Sequence, residues 1–179
     1  VKAIKNILIK NMNIFPLLLL SCLMLFCFIS FSVGKFGFLP SYSAYSSKWN
    51  ETIPIQNMNL WSIITFIAAF CIMPVLLEMS DGSNFQFLGF FTPVYLIAVS
   101  LTPKWASDPN EHKYHVIFAS LCALCAFLYI ILTLHQIWVL VGVLLIIGIV
   151  AVLTKTYKTN LVFWLEMIMF LGMYLSLII

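Results

Sequence analysis

From Val116 to Leu153 the chain runs 38 residues without an acidic or lysine side chain. As a single helix this stretch would be about 57 Å long, roughly twice the thickness of a bilayer's hydrocarbon core. It therefore has to enter lipid and fold back within itself. His135-Gln136 is the polar dipeptide available for the turn, and Trp138 beside it suits a membrane interface.

The rest of the chain repeats the pattern. Of its 179 residues 63% are hydrophobic and 8% charged, with mean hydropathy +1.08, where a water-soluble domain carries roughly 25% charged residues. Apolar runs of membrane-spanning length recur. The alternating short segments of a transmembrane barrel are absent. Helices close their own backbone hydrogen bonds, so the expected fold is all-α: a compact bundle of six transmembrane helices at about 14–34, 59–78, 85–102, 115–134, 137–153 and 160–179, within a single transmembrane domain, 1–179. A loop rich in Ser, Tyr and Pro follows the first helix. Ala119, Ala123 and Ala126 on the fourth helix, with Gly142 and Gly148 on the fifth, predict close helix packing.

The nine basic residues are all Lys. Without Arg, bidentate phosphate clamps are disfavoured, and no basic stripe points to nucleic acid. Abundant Lys, Asn, Ile and Phe fit an AT-rich bacterial genome, hence a bacterial cytoplasmic (inner) membrane. Cys22, Cys27, Cys71, Cys122 and Cys125 all fall in apolar runs, as packing residues rather than a disulfide framework. The Lys-containing start resembles a signal peptide, but its long apolar run lacks a small-residue exit, so a retained helix is expected. Leu19-Leu20-Ser21-Cys22 is too deep in apolar sequence for a lipoprotein box, and Asn50-Glu51-Thr52 reads as a chance sequon. Six crossings place three Lys (Lys2, Lys5, Lys10) on one side and six on the other. The larger count puts the Lys-rich loops in the cytoplasm, whereas the N-terminal cluster argues the reverse. The sequence assigns no orientation.

Glu166 interrupts the last apolar run. A carboxylate at that depth is expensive in lipid and faces the bundle interior with a partner. With an even number of crossings, the loops after helices one, three and five share a side, and Glu166 enters from that side about 9 Å down its helix. His115, a snorkelling Lys113 or Lys158, or a loop side chain can meet it there. The segment DPNEHKYH, 108–115, places Asp108, Glu111, His112 and His115 at helical spacing on one face. Asp108 with Pro109 is a helix start, and Glu111 three residues on completes a cap. The same four side chains could hold a divalent metal such as zinc, or His115 and Glu166 could form an acid–base pair. His135 lies too far along the chain to join them. Glu78 and Asp81 belong to the opposite side, in a solvated turn. No GxSxG, HExxH or glycine-rich phosphate loop is present.

The expected function is binding or transport of a small ligand or lipid headgroup through this polar cap, with Glu166, His115, His112, Glu111, Asp108 and Lys113 as ligand-binding candidates. The alternatives are a membrane-embedded, metal-dependent lipid-modifying enzyme or an accessory subunit of a membrane complex. The expected partners are membrane lipids, with a homo- or hetero-oligomer in the membrane as a further option.

Overall fold

A computed structural model describes the backbone of residues 2–53 and 59–179, and the side chains of 14–53 and 59–179. The side chains of Lys2, Lys5 and Lys10, and residues 54–58 of the first loop, lie outside the described residues. The described chain is all-helical: α1 (Lys2–Phe36), α2 (Ala44–Thr52), α3 (Leu60–Met79), α4 (Gln86–Ser100), α5 (Pro109–Leu128), α6 (Ile137–Leu153) and α7 (Leu161–Ile178). Four segments are long and apolar enough to cross a membrane: Ile14–Phe36, Leu60–Met79, Pro109–Thr133 and Leu161–Ile178. The expectation of six full-length spans is corrected here, because α4 and α6 are shorter apolar helices. One reason lies at the end of α4. There Thr102 N bonds to Val99 O, three residues back, and the Ser100 and Thr102 hydroxyls add bonds to Ile97 O and Val99 O, which tightens and closes the last turn.

The outer surface is what lipid requires. Trp138 is 80% exposed and Leu153 75%, and α6 shows apolar side chains to its surroundings around most of its circumference. In water, apolar patches of that extent are aggregation or interaction surfaces. In a bilayer they face acyl chains.

Inside, α1 packs on α3, α3 on α4, α4 on α5, and α6 on α7. The α3–α4 contact depends on Gly89, where an added Cβ would sit 3.0 Å from Leu76 O, Ser80 Oγ and Tyr129 Cε2. Leu76 O already accepts hydrogen bonds from Ser80 and Tyr129. Gly89→Leu is therefore expected to destabilise the bundle by about 1–3 kcal/mol, the usual cost of overpacking, read as a lower midpoint of unfolding in mild detergent.

The fold-back falls where the polar dipeptide predicts. After α5 the helix widens into one π turn, Tyr129–Thr133, His135 takes a left-handed conformation (φ 55°), and α6 begins at Ile137. The returning helix does not pack on α5 as the small-residue pattern predicts, however. Gly142 and Gly148 have no neighbouring atom within 4 Å of a built Cβ, and an apolar groove lies between the two helices. Of the small residues of α5, Ala123 borders that groove, whereas Ala126 is buried and Ala119 packs against the core.

Two further expectations change. The first loop contains α2, whose Trp49 is buried among Phe28, Phe31 and Phe36 and donates to Ser32 Oγ. Lys35 Nζ lies 4.4 Å from the Trp49 ring centre, a cation–π contact. Trp49, Trp61 and Trp164 fall near the interfaces that the sequence predicts and so read as an aromatic belt, but the structure buries all three in the core. The five cysteines are free thiols.

Candidate functional site

The loops after α1, α4 and α6 meet at one end of the bundle, and the centre of that meeting is a short irregular strap, residues 37–43. Gly37, with φ 74°, ends α1 in a left-handed conformation and donates to Val33 O, a conformation that glycine adopts without steric cost. The strap then runs along the start of α7. Asn160 Nδ2 donates to Phe38 O at 3.1 Å, and Phe163 N donates to Pro40 O at 2.9 Å. The second bond satisfies one of the amides that a helix start leaves without a partner. One turn on, the direction reverses: Tyr42 N donates to Glu166 Oε2 at 2.6 Å.

The sequence predicts that something from this end meets Glu166. The partner is a backbone amide rather than His115, Lys113, Lys158 or a loop side chain. Among the described residues no cation lies within ion-pair distance of Glu166. The exposed Lys48–Glu51 pair is elsewhere, on α2.

Tyr42 and Ser43 carry the cap further. Tyr42 is buried, and its hydroxyl shares a 2.8 Å hydrogen bond with Thr65 Oγ1 on α3. Burial pushes its phenol well above the ordinary tyrosine range; Thr65 opposes that shift and nearby Glu166 adds to it. Tyr42 therefore stays neutral. Ser43 Oγ lies 2.8 Å from His115 Nε2, and Thr102 Oγ1 lies 2.8 Å from His115 Nδ1. Thr102 spends its single hydroxyl proton on Val99 O, so it accepts from Nδ1–H. Nε2 of the neutral ring then accepts from Ser43. Trp105 covers the imidazole, ring centres 4.9 Å apart and nearly parallel, and its Nε1 donates to Ser43 O. His115 and Glu166 thus share one end of the bundle, linked through consecutive strap residues rather than touching.

The proposed metal ligands disperse. Asp108 caps α5 by accepting from Asn110 N at 2.8 Å. Glu111 reaches past the expected capping position to accept from Lys104 N. His112 is exposed with its ring against Trp105, and both nitrogens of His115 are taken. Lys113 is exposed. No group of three His, Cys, Asp or Glu among the described residues is placed to hold a metal ion. The physical reason is local: backbone amides claim both carboxylates, the α5 cap for Asp108 and the loop amide of Lys104 for Glu111, before four ligands can converge.

Beneath the strap lies a cavity of about 370 Å³. Tyr42, Ser43 and Glu166 form its polar end, and apolar side chains of α3, α4, α5 and α7 form its walls. The α5 wall is the face 119, 122, 123 and 126, the small-residue stripe noted above. Tyr174, also in the lining, turns its hydroxyl toward Ser21 at 2.6 Å, and Ser21 donates to Ala68 O. Glu166 is the one charged residue in the lining, and its second oxygen has no hydrogen-bond partner among the described residues. At Ala123, Leu165 and Met169 the cavity meets the groove between α5 and α6, a further 580 Å³ or so with a wholly apolar lining.

Ser43 and His115 have the spacing of a nucleophile and its base, but the donors that acyl transfer needs are engaged. Tyr42 N serves Glu166, and the amides of Ala44, Tyr45 and Ser46 bond within the turn that starts α2. The amides of Tyr42, Ala44, Tyr45 and Ser46 are therefore not free to form an oxyanion site beside Ser43. The arrangement anchors the strap and shapes one end of a container. Tyr42, Ser43, Thr102 and Trp105 are the residues that sequence reasoning misses. Hydroxyl and aromatic residues in a loop give no signal of partners that lie 13 to 124 positions away.

No family model, curated protein or solved structure gives a significant match to this chain.

Proposed function

We propose that this is a six-crossing protein of a bacterial cytoplasmic membrane that binds a small amphiphile inside the bundle, without transforming it. The carrying observation is the container: a carboxylate at one end, apolar walls, and an apolar extension opening between α5 and α6. Pockets of a few hundred Å³ with apolar walls and few placed polar groups are the usual form of a ligand site. Here the extension lies where lipid chains would be.

The lengths of the two shorter helices are compatible with six crossings. α4 and α6, at about 22 and 26 Å, fall short of a 30 Å core by amounts that local thinning or interfacial anchors accommodate. Single cysteines at Asn84 and Lys104, placed in a cysteine-free background, are expected to react with an impermeant maleimide from opposite sides of the membrane. Reaction from the same side removes the α4 crossing.

Binding is tested with an alkyl alcohol carrying a diazirine at its chain end, irradiated with the purified protein in nanodiscs. Adducts are expected to concentrate on the groove, at Phe127, Leu140 and Leu144. Adducts spread evenly over lipid-facing side chains such as Phe15 and Leu19 would refute a specific site.

A further inference from the structure

The cavity's polar end specifies the head of its ligand, an inference that rests on the amphiphile-binding reading above. Glu166 Oε2 is held by the Tyr42 amide, while the other oxygen has no described protein partner. The neighbouring polar groups are committed to one another. The Tyr42 hydroxyl pairs with Thr65, Ser43 with His115, and Tyr174 with Ser21. None of the described lysines reaches the site. An ionised carboxylate in a membrane interior is rare without a compensating group, and here the space where a cation would stand belongs to the cavity.

We propose that the ligand is an amphiphile with a primary ammonium head, its N–H donors directed to the open oxygen of Glu166 and its alkyl chain passing Ala123 into the groove between α5 and α6. Charge complementarity selects this class. A carboxylate or phosphate head would meet the ionised Glu166 as a like charge, and a hydroxyl head would supply one hydrogen bond but no counter-charge, where an ammonium supplies both. The tail is specified by the groove, whose lining holds no polar residue: Leu124, Phe127, Leu140, Val141, Leu144 and Ile168 are representative.

Three probes of equal chain length, each with a terminal diazirine, separate the possibilities: an ammonium, a hydroxyl and a carboxylate head. With the unaltered protein in nanodiscs of zwitterionic phosphatidylcholine, the ammonium probe is expected to label the groove at concentrations at least about tenfold lower than the hydroxyl probe. The carboxylate probe is expected to be weakest. Glu166→Gln keeps an oxygen for the Tyr42 amide, so the strap stays anchored. It is expected to bring ammonium labelling down to the hydroxyl level and to leave the hydroxyl probe unchanged. Equal groove labelling by all three probes would overturn the assignment of the head while leaving the container intact. Absence of groove labelling with every probe would overturn the container itself. The comparison of probes on the unaltered protein decides the matter even if Glu166→Gln fails to fold.

Discussion

Ala123→Trp is expected to abolish groove labelling by any alkyl probe, a loss of at least about tenfold in affinity, while changing stability by less than about 0.5 kcal/mol. Ala123 borders both the cavity and the groove, and it is exposed, with no core neighbour to displace. An indole there occupies the passage between the carboxylate end and the apolar end. The check is labelling of the variant beside its unfolding midpoint in detergent. A variant that unfolds normally and still labels at Phe127 and Leu144 would show that ligand does not pass this point. Were the small residues of α5 a helix-packing face, the same substitution would instead cost about 1–3 kcal/mol through overpacking.

The second large effect is expected at the cap. His115→Ala should lower stability by about 2–4 kcal/mol, a sum of lost hydrogen bonds to Ser43 and Thr102 and the void left under Trp105. His115→Phe restores a flat ring against Trp105 but not the two bonds, so it is expected to recover part of the loss. His112→Ala, at an exposed ring on the other part of Trp105, should change stability by no more than about 1 kcal/mol. Chemical denaturation of the three variants, with and without a chelator, checks this. A metal site would make the two alanine variants similar and stability chelator-sensitive. The cap described here makes them unequal and indifferent to chelation. The strap would loosen with His115→Ala, so the Tyr42 amide should lose protection from hydrogen exchange along with it.

Several features were legible without coordinates. The 116–153 run states its own fold-back, since an uninterrupted helix of that length exceeds the bilayer, and the left-handed residue falls at His135. Asp108-Pro109 states a helix start, and the cap forms on Asn110 N. Helix ends elsewhere agree to within a few residues for α3 and α7. These are local matters, settled by chain length, apolar run and capping chemistry acting on neighbours in sequence.

The failures are as instructive. The stripe Ala119, Ala123 and Ala126 reads as a contact face because small residues permit close approach. Permission is not attraction, however, and the partner helix went to α7. Asp108, Glu111, His112 and His115 share a face by spacing, yet each found a nearer bond. The α2 helix is not legible in sequence because Ala44–Thr52 carries Ser, Lys, Asn and Glu amid its aromatics and resembles a polar loop, whereas Tyr45 and Trp49 bury themselves.

Sequence alone determined that this chain lives in lipid, that it is helical, that it turns back at His135, and that Glu166 needs an answer from the loops at its own end. Each conclusion rests on the cost of placing polar groups in hydrocarbon, which composition and run length reveal. Tertiary structure alone decided that the answer is the Tyr42 amide, that His115 holds the adjacent Ser43, and that α5 and α6 diverge around an open space. Those outcomes depend on which of many competing hydrogen bonds and packing faces meet, the two hydrogen bonds across 72 and 124 positions of chain, and no local pattern records that choice.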